Sequence, residues 1–130
     1  MIFTSADGGG TWVARAAAGV RPWRGLASSA DGMRLVAAAR AGGIYTSADG
    51  GATWTVRAHA GNANWASVTS STHGLRLAAA TEEGDLFVSA DGGETWEPQG
   101  AVASPGAVTL PAMLAASRDG TRLAALDGLQ

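Results

Sequence analysis

The sequence predicts an all-β fold, a partial β-propeller of four-stranded antiparallel blades amounting to about three blades. Three observations carry this prediction. An eight-residue turn motif, Ser-x-Asp-Gly-Gly-x-Thr-Trp, occurs three times at a constant step of 42 residues. A second turn motif keeps the same step, and the intervals between turns hold only short β-rich runs that leave no room for helices.

The first motif reads Ser5 to Trp12, Ser47 to Trp54 and Ser89 to Trp96. The second is Ser28-Ser29-Ala30-Asp31-Gly32-Met33-Arg34-Leu35, which returns as Ser70-Ser71-Thr72-His73-Gly74-Leu75-Arg76-Leu77. Its third copy, Ala116 to Leu123, lies 46 residues on, so a four-residue insertion is expected between Val102 and Pro111, where Ser104-Pro105-Gly106 reads as a lengthened surface loop. In the best-preserved copy, Trp65 to Thr69, Leu75 to Ala80 and Asp85 to Ser89 are expected as strands one to three, with strand four around Trp96. Ile44-Tyr45-Thr46, Leu86-Phe87-Val88 and Ile2-Phe3-Thr4 are the matching cores of strand three. Four strands per 42 residues suit a propeller blade better than a solenoid repeat, and the Trp-Asp ending of WD-type blades is absent. The expected units are 1–20 (strands three and four of a blade), 21–62 and 63–106 (full blades), and 107–130 (strands one and two).

Composition narrows the function classes. Nine arginines, no lysine and eleven acids give a formal charge of -2, scattered without a block of one sign, so no nucleic-acid or membrane-surface case arises. No apolar run has the length of a membrane-spanning helix. Cysteine is absent, which removes disulfides and thiolate metal sites and leaves the compartment open. The first residues show no secretory signal.

Each residue type in the first motif has a local task. Asp7, Asp49 and Asp91 accept hydrogen bonds from turn N–H groups, with Ser5, Ser47 and Ser89 opening each turn. Gly9, Gly51 and Gly93 allow positive φ, and Thr11, Thr53 and Thr95 add a hydroxyl while the chain returns to β geometry. Trp12, Trp54 and Trp96 cover apolar surface that alanine-rich strands cannot. A calcium reading fails, because one carboxylate per turn without a distal Glu is a poor hard-cation site; no metal and no cofactor are expected. Gly8-Gly9-Gly10 lacks the Lys and the following helix of a phosphate loop.

These turns resemble the Asp-box, or BNR, repeats of sialidases, sortilin-type receptors, xyloglucan-degrading enzymes and the propeller factors that assist photosystem II assembly. The resemblance implies a turn between strands three and four, at the periphery. For a sialidase it implies an arginine triad, a tyrosine–glutamate pair and an aspartate acid. Here the lone Tyr45 aligns with Phe3 and Phe87, and Arg34, Arg76 and Arg122 share one repeat position, as do Arg15 and Arg57. Repetition marks scaffold, so no catalytic residue is assigned.

Glu82, Glu83, Asp85, Glu94, Glu97 and Asp127 are the non-repeated acids and are read as solvated turn charges; His73 reads as a turn residue and His59 as part of a blade-connecting loop. The candidate ligand face comprises Trp23 and Trp65, which share a repeat position, with Arg21, Asn62 and Asn64 beside them and Arg24 nearby. Inter-blade packing is the favoured reading of the two tryptophans.

The expected function is a non-catalytic scaffold or binding module for a protein or glycan partner. The alternative is part of a glycoside hydrolase, sialidase-like or xyloglucanase-like, with catalytic residues elsewhere. A closed propeller takes four to eight blades, so three blades' worth implies either a stretch of a longer product, the reading favoured here, or copies that assemble to complete the ring.

Overall fold

The computed structural model describes residues 1–101 and 113–126; the expected insertion between Val102 and Pro111 and the acid Asp127 lie outside them. Strands β1 (Phe3–Thr4) and β2 (Val13–Ala14) form a two-stranded antiparallel sheet. A four-stranded sheet follows, ordered β3 (Trp23–Ser28), β4 (Leu35–Ala39), β5 (Ile44–Ser47), β6 (Thr55–Val56). The next repeats it as β7 (Trp65–Ser70), β8 (Leu77–Thr81), β9 (Asp85–Ser89), β10 (Glu97–Ala101), and β11 (Met113–Ala116) pairs with β12 (Leu123–Leu126). All pairings are antiparallel between sequence neighbours, as short turns dictate.

The register repeats with the sequence. Leu35 faces Ser47 and Ala38 faces Ile44 in one sheet; Leu77 faces Ser89 and Ala80 faces Leu86 in the next. Strand two of each full sheet is buried at every position, Leu-Val-Ala-Ala-Ala in β4 and Leu-Ala-Ala-Ala-Thr in β8. Burial on both faces follows from a sheet on either side, and alanine keeps those sheets close. Strand one carries the inter-sheet contact: a Cβ on Gly25 of β3 would sit 2.9 Å from the Val68 nitrogen of β7, and the Leu114 N–H of β11 donates to Ser67 Oγ at 3.0 Å. The main apolar cluster, with Val36, Ile44, Trp65, Val68, Leu77 and Trp96, accordingly spans the two full sheets.

The turns between strands one and two lock successive sheets. Ala30 N–H donates to Thr72 C=O at 2.8 Å, and Thr72 N–H donates to Arg118 C=O at 2.7 Å. Beside these bonds, the stem of Arg34 packs where a Cβ on Gly74 would be, 2.7 Å away, and Arg76 does the same over Gly120. The repeated Arg and Gly of the second motif are thus two halves of one inter-sheet contact.

Three details differ from expectation. Strand two of the second full sheet runs Leu77–Thr81 rather than Leu75 to Ala80, because Leu75 and Arg76 still belong to the turn whose Arg76 C=O accepts from Ser71 N–H. Strand four of the second full sheet begins at Glu97, after Trp96 rather than around it, because Trp96 still belongs to the turn. Single 3-10 turns stand at Ala16–Ala18 and Ala58–Ala60, where helix was not expected. A single turn has no amphipathic period to betray it; each is closed by a glycine, Gly19 or Gly61, whose N–H donates to the first alanine carbonyl.

Candidate functional site

The three Asp-box turns are superposable hydrogen-bond cages. In the second, Ser47 Oγ donates to Asp49 Oδ1 at 2.8 Å and accepts from Gly51 N–H at 2.8 Å, while Asp49 accepts from the Thr53 N–H and hydroxyl. The indole Nε1–H of Trp54 closes the turn on Gly51 C=O at 3.0 Å. Ser5 to Trp12 and Ser89 to Trp96 repeat every bond. Gly9, Gly51 and Gly93 take φ of 95°, 90° and 94°. Donors converging on each carboxylate hold Asp7, Asp49 and Asp91 down at about 2, the Thr hydrogen bonds being the largest cause. With both oxygens committed inside the turn, these carboxylates are structural acceptors. Among the described residues no cluster of His, Asp and Glu is placed to hold a metal.

Residues of the candidate ligand face separate in the structure. Trp65 is wholly buried, edge-on to Phe87 at 5.2 Å, and Trp23 is half-buried, edge-on to Tyr45 at 5.3 Å. Arg21 lies over the Tyr45 ring, 4.6 Å from its centre. Asn62 and Asn64 instead line an open cleft of about 470 Å³ between the two full sheets, on the face opposite the Asp-boxes.

That cleft is built by three segments. The β4–β5 hairpin contributes Ala41, held at φ 51°. The segment entering β7 is clamped to this hairpin by reciprocal backbone bonds between Gly42 and Ala63 at 3.0 and 3.2 Å. The β8–β9 hairpin brings Thr81, Glu83 and Asp85, and Phe87 supplies an apolar wall. At the lip, Arg40 Nε meets Glu82 Oε1 at 2.9 Å and ties the two hairpins together. Asn64 Nδ2–H donates to Glu83 Oε1 at 2.8 Å, which is the main reason the Glu83 carboxyl lies below its usual range. Thr81 Oγ1 accepts from Asp85 N–H at 3.1 Å and shapes the hairpin.

The residues that line the cleft differ between the repeats: Asn62, Asn64, Thr81, Glu83 and Asp85 stand where the first full sheet has Val20, Pro22, Ala39, Ala41 and Gly43. Arg21 covers Tyr45 in the first full sheet; Ala63 occupies that position in the second and leaves space in front of Phe87. Glu83, Asp85 and Phe87 were read from sequence as turn charges and a strand core, and only the fold brings them beside Asn62 and Asn64. The signal was available as a run of polar replacements in the second repeat, Val20 to Asn62, Pro22 to Asn64, Ala41 to Glu83 and Gly43 to Asp85, alongside the change from Arg21 to Ala63.

Glu94 and His59 form a second inter-sheet contact. Arg57 Nη1–H donates to Glu94 Oε1 at 2.7 Å and to the Thr46 hydroxyl through Nε–H at 2.6 Å. His59 Nδ1 stands 3.0 Å from the Glu94 carbonyl; a carbonyl only accepts, so Nδ1 carries the proton.

Residues 87–98 match the BNR/Asp-box repeat family. No curated protein sequence matches the chain. Similar solved structures include the GH74 xyloglucanase of Xanthomonas campestris, at 26% identity and a TM-score of 0.64 over 92% of this chain and 17% of that one. The GH74 enzyme of Niastella koreensis is similar at 24% identity and a TM-score of 0.59, over 74% of this chain and 13% of that one. YCF48 bound to D1 peptide is similar at 17% identity and a TM-score of 0.58, over 81% of this chain and 40% of that one. The chain therefore spans well under half the length of each. Three cages of one design, the third within the residues that match the BNR/Asp-box repeat, stand on four-stranded antiparallel sheets docked strand one to strand one, an arrangement consistent with a BNR-type partial β-propeller.

Proposed function

We propose that the chain is a non-catalytic binding module whose inter-sheet cleft takes an extended peptide segment bearing a basic side chain. The observation that supports this reading is the cleft itself, lined by the exposed carboxylates of Glu83 and Asp85, by Asn62, by Asn64 hydrogen-bonded to Glu83, and by the Phe87 ring. The two carboxylates attract a cation, the Asn62 amide can satisfy a peptide backbone, and the aromatic wall receives an alkyl stem. YCF48 bound to D1 peptide offers a fold-level precedent for peptide capture by such a scaffold.

A glycosidase reading of the same cleft fits less well. A general acid needs a raised pKa, whereas the hydrogen bond from Asn64 lowers that of Glu83 and keeps it ionised. The GH74 likeness keeps the hydrolase as the alternative for blades outside this stretch.

The test is a peptide array probed with the labelled chain, followed by titration of the best ligands. Basic peptides are expected to bind, more weakly as salt rises, and Glu83→Gln with Asp85→Asn is expected to weaken them about tenfold, or about 1.4 kcal/mol. Preference for neutral or acidic peptides, or release of sugar from xyloglucan by this chain, contradicts the proposal.

A further inference from the structure

The two full sheets build the same frame around one aromatic side chain, and only the first of them fills it. There Trp23 stands edge-on to Tyr45 with ring centres 5.3 Å apart, and its Nε1–H donates to the Gly19 carbonyl at 3.4 Å; Trp65, Phe87 and Gly61 repeat both contacts, at 5.2 and 3.4 Å. Gly19 and Gly61 share their backbone as well, at φ 73° and 72° with ψ 176° and 177°. The Arg21 guanidinium occupies the first frame, 4.6 Å from the centre of the Tyr45 ring, with its Nε and Nη2 lying 3.7 and 3.8 Å from where a Cβ on Gly19 would be. In the second frame Ala63 stands in place of Arg21, a Cβ on Gly61 would meet nothing within 4 Å, and the Phe87 ring borders the open cleft. Carboxylates are added at the same place, Glu83 and Asp85 where the first sheet has Ala41 and Gly43. Arg40, the cation at the lip, is engaged by Glu82, so the surplus charge of the cleft is negative.

We propose that the cleft is a receptor for an arginine side chain of another polypeptide, which takes in the second sheet the place that Arg21 takes in the first. This rests on the reading of the cleft as a peptide site and narrows it: the guanidinium lies on the Phe87 ring, and the N–H groups at its rim meet Glu83 and Asp85. Lysine fits less well. Its ammonium is compact and strongly hydrated, with no flat face to lay on a ring, whereas a guanidinium stacks and donates in its own plane at once. The placement of the acids supports capture from solution. Arg21 is carried to Tyr45 by the chain itself and needs no charge to recruit it, while an arginine arriving from elsewhere does; of the two frames, the one with carboxylates is the one without an arginine.

The experiment is an NMR titration of the full chain with an end-blocked glycine–serine heptapeptide carrying one central arginine, beside twins carrying lysine or citrulline. Arginine is expected to bind about tenfold more tightly than lysine, and citrulline, which keeps the shape without the charge, to bind least. The chain has two phenylalanines, so a nuclear Overhauser contact from the arginine δ-methylene to the Phe87 ring, absent at Phe3, fixes the place. Phe87→Leu should bring arginine down to the level of lysine, and Phe87→Tyr, which installs the aromatic of the first sheet, should restore the difference. Equal affinity for arginine and lysine overturns the inference and leaves a site for basic peptides standing. An arginine seated away from Phe87 overturns it too, and failure of both charged peptides to bind overturns the site as well. These comparisons are made on the unaltered chain and hold whether or not Phe87→Leu folds.

Discussion

At the scale of single residues, the three Asp-boxes are chemically equal and energetically unequal. Ser89 is buried and is the acceptor for the Gly93 N–H, so Ser89→Ala should cost about 1–3 kcal/mol by stranding that donor. Ser5 makes the same bonds at the surface, and water replaces them in Ser5→Ala at smaller cost. Trp96→Ala should cost about 3–5 kcal/mol, while Trp12→Ala should cost far less in the isolated chain; urea melts of the four variants check both pairs. Acid should act on the boxes together. Their aspartates sit at about 2 in the folded chain, below the ordinary 3.8, so their contribution is complete above pH 4. It is lost as the pH falls from about 4 to about 2, and a flat denaturation midpoint across that window would contradict the hydrogen-bond assignment.

Among elements, the repeated turn between strands one and two behaves as a latch, and its two halves separate cleanly by mutation. Gly74→Ala introduces a Cβ 2.7 Å from that of Arg34 at φ 72°, whereas Gly32→Ala meets the same φ, 71°, in open space. The difference between their stabilities isolates the packing of the latch from backbone strain, and Gly74→Ala should be the worse by about 1 kcal/mol or more in thermal melts of the isolated chain. The repeat period, strand order and box positions were legible because turn chemistry is local: Asp, Gly and Thr act within five residues of one another. The different fates of Trp12 and Trp96, or of Gly32 and Gly74, were not legible, because they depend on which neighbour stands alongside. The 3-10 turns escaped for the opposite reason, being too short to leave a period.

For the whole molecule, the informative feature is a departure from repetition. Trp23 and Trp65 share a repeat position and Asn62 and Asn64 stand near them in sequence, yet the fold puts Trp65 in the core and both asparagines at the cleft. Glu83 and Asp85 reach that cleft through β-sheet pairing over about twenty residues, which no local motif announces. Ala63→Arg should restore over Phe87 the cover that Arg21 gives Tyr45, filling the cleft with little loss of stability and abolishing ligand binding.

The most direct test of the binding account is amide chemical-shift mapping of the labelled chain titrated with an arginine-bearing peptide. The account predicts shifts confined to Ala41, Asn62 to Asn64 and Thr81 to Phe87, absent in Ala63→Arg. Shifts centred on the Asp-box face, or shifts that persist unchanged in Ala63→Arg, would contradict it.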